Sequence, residues 1–337
     1  MKQALTILIS LMVLAFSSGA LGQARERDTA SEPDYSELLA INTNSFTTPL
    51  VNSSLGVAMQ PANLLRTVAD EPYLLWVELK RGLLHLLKRE QNGGFQTLET
   101  HPISMGKEGY GKEIEGDQRT PVGIYTITSF LPDEDLLDKY GSGAFPLDYP
   151  NLVDKLESRT GYGIWLHGLP KGVTSRPRFD SDGCVVIDNS TLISLSDHID
   201  IGSTRMILAE TLDWVSIGAN RPVRDRLESR LENWRSSWSA MDNDAYLAFY
   251  STEFTNFSQS FSDWDAYKRR IHQEKFWIEV EVSDISLTSY PGDNDLVVAE
   301  FYQTYRSSNF NAQGLKKQLW RLEEDGVWRI VYEGGGG

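Results

Sequence analysis

Cys184 is the single cysteine in a chain of 337 residues, and His167 precedes it at the end of another apolar segment. Cysteine chemistry needs a thiolate, which a nearby histidine supplies by taking the thiol proton or by pairing as imidazolium. Gly183 lies directly before the cysteine, where a missing side chain lets a substrate approach and leaves nearby amides free to face an oxyanion. These residues are candidates for a cysteine nucleophile site. A buried, inert cysteine is the alternative that composition leaves open.

Two strand-like segments must position these residues. Residues 163–168 read G-I-W-L-H-G and end beside His167, whereas residues 184–187 read C-V-V-I and begin at Cys184. The stretch between them, residues 169–180, holds two prolines, two arginines and a glycine, a composition typical of a loop. Such a loop could bring the two strands side by side.

The rest of the chain predicts a mostly β domain followed by a smaller α+β domain. Further strands of the first domain are expected at residues 73–80, 83–89, 95–100, 123–130 and 205–210, with short helical patches at 133–140 and 190–199. From Pro222 to Met241 apolar residues recur every three or four positions, which predicts an amphipathic helix. Asp242 suits the N-cap of a second helix that ends at Tyr250. After a loop, strands are expected at residues 276–282, 285–289, 296–305, 316–323 and 328–332.

Composition excludes several classes of function. The chain has 32 basic and 47 acidic residues and a net charge of −15, which argues against a nucleic-acid partner because no basic face is available for phosphates. One cysteine excludes an intramolecular disulfide and any multi-cysteine metal site. His85, His101 and His198 show no ligand spacing and are taken as structural.

The N-terminus predicts export. A basic start, an apolar run from Ala4 to Phe16 and small residues up to Gly22 are typical of a secretory signal peptide, residues 1–22. A buried helix or an uncleaved anchor is the alternative. Residues 23–70 are rich in Ser, Thr, Asn and Asp and predict a linker with one or two short helices. In an exported protein, a lone cysteine indicates a reactive thiol or intermolecular pairing.

Three segments in order resemble the L,D-transpeptidase catalytic domain of the YkuD type, found in bacterial enzymes that remodel peptidoglycan. His167-Gly168 followed by S-D-G-C at residues 181–184 resembles the catalytic motif. Residues 115–125, E-G-D-Q-R-T-P-V-G-I-Y, are similar to the family's G-D-x-R-T-P-x-G-x-Y segment. Residues 145–151, F-P-L-D-Y-P-N, are similar to its pre-catalytic stretch. The resemblance spans about residues 71–210 of a catalytic domain predicted at residues 71–212, and it implies a periplasmic enzyme with a β-sandwich fold.

The resemblance implies a role for each catalytic residue. Cys184 is the nucleophile and His167 its base, and the Gly168 carbonyl orients the imidazole in place of the carboxylate of other triads. The amides of Gly183 and Cys184 form the oxyanion hole. Ser181 braces the loop or contacts substrate, and a simple turn role is equally consistent with its position.

Two residues depart from the family pattern and put substrate placement in question. Asp182 stands where many members have a second histidine, and Val186 stands where many have Arg or Asn. Arg176 and Arg178 in the preceding loop are candidates to bind a stem-peptide carboxylate, although surface solubility is the simpler role for either one.

The implied reaction is acyl transfer from a peptidoglycan stem peptide without a metal or cofactor. Its acceptor is an amine of a second stem peptide, a free D-amino acid, the lysine of a wall-linked lipoprotein, or water. A hydrolase of the same family type, either an L,D-carboxypeptidase or a lipoprotein-releasing amidase, is one alternative. Transfer and hydrolysis share the same acyl-enzyme, so the sequence separates them poorly. A non-catalytic wall-binding or regulatory protein with a degenerate site is the alternative from a different class.

Residues 213–333 resemble nuclear-transport-factor-2-like (NTF2-like) cones, which are appended to some L,D-transpeptidases. The resemblance implies a binding domain or a homodimer interface. Four tryptophans are expected in the core, with a ligand pocket as the alternative: Trp264, Trp277, Trp320 and Trp328. His272, beside Arg269 and Arg270, is expected on a solvated helix face.

Overall fold

The computed structural model describes residues 57–68 and 71–335. The predicted signal peptide, residues 1–22, and most of the predicted linker lie outside these residues. None of the helices in the described part is long and apolar enough to cross a membrane.

The first domain is built mainly from short strands around two sheets. Its strands are β1 (Met59–Pro61), β2 (Leu64–Arg66), β3 (Tyr73–Glu78), β4 (Leu83–Arg89), β5 (Phe95–Pro102), β6 (Met105–Gly106), β7 (Gly123–Thr126), β8 (Leu131–Pro132), β9 (Gly143–Pro146), β10 (Trp165–Gly168), β11 (Phe179–Ser181), β12 (Val185–Ile187), β13 (Arg205–Ala209) and β14 (Trp214–Ser216). Its helices are α1 (Leu152–Leu156) and α2 (Asn189–Ser196), with 3-10 turns at Asp133–Asp135 and Asp138–Tyr140. These bounds agree closely with the sequence expectation for β3, β4 and β13.

The two sheets form the predicted β-sandwich. One has the strand order β5-β4-β3-β13-β7 and the other the order β12-β10-β9-β8. Side chains alternate across a strand, so Leu75 and Val77 of β3 pack between the sheets, whereas Leu74 and Trp76 pack on the opposite face. Because both faces are covered, β3 is apolar at nearly every position. The second sheet carries the candidate catalytic residues.

The C-terminal domain is the predicted α+β unit. Its elements are α3 (Arg221–Ser239), α4 (Asn243–Leu247), α5 (Phe261–Gln273), β15 (Ile278–Tyr290), β16 (Asp293–Ser307), β17 (Asn311–Leu322) and β18 (Trp328–Gly335). Antiparallel pairing gives a sheet of order β18-β17-β16-β15-β2. The apolar face of α3 packs into the same core as this sheet through Leu227, Leu231, Trp234 and Trp238.

Three local expectations for this domain are wrong. The predicted loop before the strands contains α5, which begins at a capping box formed by Ser260 and Asp263. The two strands expected at residues 276–282 and 285–289 are the single strand β15, whose pairing shifts between Ser283 and Ser286. His272 is buried, because α5 packs on α4 and Nδ1 of His272 bonds to the Asn243 side chain.

The aromatic residues of the C-terminal domain form its core. Trp264, Trp320 and Trp328 are buried, whereas Trp277 is 48% exposed. The ammonium of Lys268 lies 4.3 Å from the ring centroid of Trp264, and burial lowers the pKa of Lys268 to about 8. Three of the four tryptophans therefore agree with the core expectation.

The described end of the predicted linker, residues 57–68, forms strands rather than helices. Strand β1 pairs with β14, and β2 pairs with β15 of the C-terminal domain. Leu64 and Leu65 point to opposite faces of β2, so Leu64 joins a core of the first domain and Leu65 joins the core of the second. Three-residue strands are too short to show periodicity in a polar segment, which explains why the sequence did not reveal them.

Buried polar contacts connect the two domains, and all described residues belong to one compact unit. Arg205 of β13 pairs with Glu71 and donates from Nη1 to the Thr288 hydroxyl of β15 at 2.9 Å. Asn151, before α1, donates from Nδ2 to the Tyr290 hydroxyl at 3.0 Å.

Candidate active site

Strands β10 and β12 bring His167 and Cys184 into one cleft on the second sheet. The strands are parallel neighbours, with Leu166 opposite Val185 and His167 opposite Val186. A parallel pair needs a long crossover. Residues 169–184 supply it; they include the loop predicted at residues 169–180, the end of which belongs to β11. Cys184 lies directly before β12, and both side chains line the same cleft.

The turn before Cys184 is held by a set of short hydrogen bonds. The Ser181 hydroxyl donates to the Cys184 carbonyl at 2.6 Å and accepts from the Gly183 amide at 3.1 Å. The Thr120 hydroxyl donates to the Gly183 carbonyl at 3.0 Å. Gly183 has a φ of +125°, and a Cβ there would lie 2.8 Å from the Arg119 carbonyl oxygen. Only glycine fits this position without strain.

These hydrogen bonds bear on the roles expected for Gly183 and Ser181. The Gly183 amide is engaged by Ser181, so it does not face the cleft as an open oxyanion donor. A turn residue next to a serine can satisfy its amide locally, and the oxyanion role of Gly183 stays a prediction. The Ser181 hydroxyl is bonded within the turn, as a bracing role requires, and its contact with substrate stays a prediction.

The His167 imidazole is buried and oriented by the backbone. Its Nδ1 lies 2.8 Å from the Gly168 carbonyl oxygen, which can only accept, so the proton is assigned to Nδ1 and Nε2 is left as an acceptor. The Tyr140 ring stands edge-on to the imidazole at a centroid distance of 5.1 Å. Tyr140 also contacts Trp165 at 4.9 Å. These rings and the Gly168 carbonyl fix the imidazole orientation.

The resting pair is electrically neutral. Burial, with a smaller contribution from the nearby cations Arg176 and Lys139, lowers the pKa of His167 to about 4, although the Gly168 hydrogen bond opposes the shift. Burial also raises the pKa of the Cys184 thiol, and Asp182 adds to the increase. The thiol donates to the Gly163 carbonyl at 3.4 Å. A neutral imidazole beside a neutral thiol suits general-base activation rather than a preformed thiolate–imidazolium pair.

The cleft has a volume of about 330 Å³ and a mixed polar lining. It is lined by Lys112, Glu115, Gly116, Lys139, Tyr140, Gly161, Tyr162, Gly163, Ile164, His167, Pro170, Arg176, Ser181, Asp182 and Cys184. Lys112 pairs with Asp117 at 2.7 Å, and Arg176 pairs with Asp180 at 2.7 Å. Among the described residues, no carboxylate lies within 4.0 Å of the Lys139 ammonium, which stands 4.8 Å from the Tyr140 ring centroid.

The two arginines proposed from sequence as carboxylate ligands lie in different places. Arg176 lines the cleft, whereas Arg178 does not. Arg178 Nη2 donates to the carbonyls of Leu79 and Lys80, both at 2.6 Å. Its guanidinium also covers the Phe179 ring at 4.8 Å. Arg178 therefore anchors the crossover loop to the β3–β4 turn, where free carbonyls were not visible from sequence.

The two residues that depart from the family pattern, Asp182 and Val186, also lie in different environments. Asp182 lines the cleft and accepts from Lys107 at 2.9 Å and from Gln118 at 3.1 Å. The hydrogen bond from Lys107 holds the pKa of Asp182 below its usual range. Val186 is buried, and its backbone pairs with Ser104. Of the two, only Asp182 can act on a molecule in the cleft.

Sequence reasoning missed Lys139 and Tyr140. They end the 3-10 turn at Asp138–Tyr140, inside the segment predicted as a helical patch. A cation and an aromatic residue directly before Gly141 were the available signal. Nothing in the sequence related that turn to His167, because the contact is made across β9 and β10.

Comparison with known proteins gives two family matches. Residues 72–208 match the L,D-transpeptidase catalytic domain of the YkuD type, and residues 226–334 match the Cds6 C-terminal NTF2-like domain. The search of curated protein sequences gives no match.

Two solved structures resemble the chain across both domains. Bd1075 of Bdellovibrio bacteriovorus is 28% identical with a TM-score of 0.70, covering 82% of this chain and 98% of that chain. The helical cell shape determining protein Pgp2 of Campylobacter jejuni is 26% identical with a TM-score of 0.69, covering 81% of this chain and 94% of that chain.

Proposed function

We propose, for a chain whose residues 72–208 are an L,D-transpeptidase catalytic domain of the YkuD type, that Cys184 is the nucleophile of acyl transfer from peptidoglycan stem peptides. One observation carries the proposal. His167 and Cys184 line one cleft from adjacent parallel strands, with the imidazole Nδ1 held by the Gly168 carbonyl. That leaves Nε2 as the proton acceptor that a neutral thiol needs.

The reaction begins with the thiol proton passing to Nε2 of His167 as sulfur attacks the carbonyl of the third stem residue. The tetrahedral oxyanion forms near the Cys184 amide, the donor that remains when Gly183 bonds to Ser181. The C–N bond to the terminal D-alanine then breaks, and the imidazolium proton passes to the departing amine. The resulting thioester is taken by an amine of a second stem peptide, or by water.

Charge in the cleft supports a substrate that carries carboxylates. Lys139 and Arg176 line the cleft, and both lower the pKa of His167. Lys139 has no acidic partner among the described residues, so its charge is available to a ligand. Stem peptides carry a carboxylate at the terminal D-alanine, within one residue of the attacked carbonyl, and a cation there fixes their register.

We also propose that the protein acts outside the cytoplasm and influences cell shape. Export rests on the predicted signal peptide, residues 1–22. The effect on shape rests on similarity to Pgp2, a cell shape determining protein. Deletion of the gene should change both the muropeptide profile of the wall and the shape of the cells.

The test is digestion of purified sacculi by the wild-type chain and by Cys184→Ala, with identification of the muropeptides. Wild type should consume tetrapeptides, and the variant should not, because no other described group in the cleft is a thiol. New crosslinks indicate transfer, and tripeptides without crosslinks indicate hydrolysis. Activity retained by a folded Cys184→Ala variant would sink the proposal. Inactive wild type would favour the non-catalytic alternative.

A further inference from the structure

One wall of the cleft has no regular secondary structure. Residues 159–164, the cleft wall, run between α1 and β10, and Gly161, Tyr162, Gly163 and Ile164 line the cleft. The Gly163 carbonyl accepts the Cys184 thiol hydrogen bond. Gly161 and Gly163 have φ values of +98° and +74°, conformations that glycine adopts freely. A segment with two such glycines keeps one shape only if its neighbours hold it.

Two residues at the start of the cleft wall are held from below. Arg159 Nη1 donates to Asp154 Oδ1 at 2.9 Å, and the Arg159 amide donates to the Asp154 carbonyl at 2.8 Å. The Thr160 amide donates to the Glu113 carbonyl at 2.9 Å, and its carbonyl accepts from the Tyr149 hydroxyl at 3.0 Å. The position of Arg159 in the wall therefore depends on where Asp154 lies, whereas Thr160 is held by Glu113 and Tyr149.

Asp154 is fully buried and is itself fixed by several donors. Its Oδ2 accepts from the Tyr125 hydroxyl at 3.1 Å and from the Asn151 amide at 3.0 Å. Asn151 completes a capping box, because its Oδ1 accepts from the Asp154 amide at 2.9 Å. The Asn151 Nδ2 donates to the Ile124 carbonyl at 2.9 Å and to the Tyr290 hydroxyl at 3.0 Å. The last of these acceptors belongs to the C-terminal domain.

The Tyr290 hydroxyl packs closely against Gly123 of the first domain. Tyr290 ends β15 and is buried. A Cβ at Gly123 would lie 2.5 Å from the Tyr290 hydroxyl oxygen, so the absence of a side chain at Gly123 makes room for it. The hydroxyl therefore has one location, with Asn151 as its donor.

We propose that Tyr290 of the C-terminal domain is a positioning residue for the candidate active site. The Tyr290 hydroxyl fixes the side-chain amide of Asn151, and the capping box then fixes Asp154. Asp154 in turn fixes the cleft wall, which carries the carbonyl that accepts the hydrogen bond of the Cys184 thiol. The NTF2-like domain thereby takes part in the geometry of the cleft. Its importance for catalysis rests on the proposed function, whereas its effect on the order of the wall does not.

The test uses Tyr290→Phe in the full chain, with Thr288→Val as the matched control. Both variants remove one hydroxyl from β15 at the domain junction, but Thr288 accepts from Arg205, which does not contact the cleft wall. Hydrogen–deuterium exchange should rise in residues 157–164 of Tyr290→Phe by about fivefold, the factor carried by one hydrogen bond of ordinary strength. Thr288→Val should leave that exchange unchanged.

Alkylation of Cys184 by iodoacetamide gives a second readout that needs no substrate. The single cysteine makes the signal unambiguous, and its rate should change in Tyr290→Phe but not in Thr288→Val. Arg159→Lys, which loosens the same wall from its other end, should give the same exchange increase and should not add to Tyr290→Phe.

Equal exchange in residues 157–164 for wild type and Tyr290→Phe, or equal increases in both β15 variants, would overturn the proposal. Sacculus digestion separates this from failure of the proposed function. An inactive wild type with the expected difference in exchange contradicts the function alone. An active wild type whose Tyr290→Phe variant keeps the wild-type exchange contradicts the positioning role alone.

Discussion

At the scale of single residues, burial decides the protonation states of Cys184 and His167. On sequence grounds the histidine could take the thiol proton or pair with the thiolate as imidazolium, but low solvent access disfavours both charged forms. The pKa of His167 falls and that of Cys184 rises, so each is neutral at rest. Proton transfer then accompanies attack.

The pH dependence of reactivity follows from these directions. His167 keeps its accepting nitrogen down to a pKa of about 4, so kcat/KM for a stem peptide should fall tenfold per pH unit only below about pH 4. The raised pKa of Cys184 means that alkylation by iodoacetamide should still be increasing above pH 9. Glutathione, with an ordinary thiol pKa, is the control. An alkylation rate that levels off near neutral pH would contradict the neutral pair.

Lys139 gives a second prediction at this scale. Lys139→Gln removes the cleft cation that has no acidic partner among the described residues, so KM for a stem peptide should rise by about tenfold, as expected for one charge-assisted hydrogen bond. The control is Lys171→Gln, because Lys171 is exposed and pairs with Asp133 and Asp138 outside the cleft. Steady-state kinetics measure both, and an unchanged KM for Lys139→Gln would remove the carboxylate assignment.

At the scale of elements, the entry into β12 places the thiol. The turn at residues 181–184 is closed by Ser181 and by Thr120, and a glycine with positive φ lets the chain pass beneath Arg119. The parallel β10–β12 register then sets His167 beside the strand that Cys184 begins. The sequence was enough to identify these side chains as candidates. The geometry of the turn, however, depends on a segment more than sixty positions away, because the Thr120 hydroxyl donates to the Gly183 carbonyl.

Gly183→Ala tests this element. A Cβ there would lie 2.8 Å from the Arg119 carbonyl oxygen, and alanine would have to adopt an unfavourable positive φ. The variant should therefore lose about 1–3 kcal/mol of unfolding free energy and most of its thiol reactivity. Gly172→Ala is the control, since its φ is +82° but no atom lies within 4 Å of the added Cβ. Urea unfolding and alkylation rates measure both. Equal losses in the two variants would show that only backbone strain matters.

At the scale of the whole molecule, the two domains share buried structure. Strand β2 belongs to the C-terminal sheet while its Leu64 packs in the first domain, and Arg205 joins Glu71 to Thr288. Tyr290 and Asn151 add a second buried junction. Domains connected in this way should unfold together, because opening the junction exposes an ion pair and apolar side chains at once.

Arg205→Ala tests this cooperativity. The substitution leaves Glu71 largely buried without its cation, so it should cost about 3–5 kcal/mol of unfolding free energy and split the single calorimetric transition into two. Arg306→Ala removes only exposed pairs with Glu279 and Glu281 and should cost about 0–1 kcal/mol. A single transition with the wild-type midpoint for Arg205→Ala would contradict a shared junction.

The sequence by itself determined the class of fold, the order of the two domains and the candidate pair Cys184 and His167. These depend on local information: apolar periodicity along strands and helices, and residue types at short spacings. It also predicted that the domain at residues 71–212 resembles the L,D-transpeptidase catalytic domain of the YkuD type, and residues 72–208 match that family's model.

The tertiary structure alone decided which side chains share the cleft and in what state. It placed Lys139 and Tyr140 beside the imidazole, turned Arg178 away to the β3–β4 turn, engaged the Gly183 amide and made strands of residues 57–68. Each outcome depends on partners distant in the chain and on burial, which sets hydrogen bonding and pKa together. No local pattern carries that information, because neither burial nor distant partners are properties of a single segment.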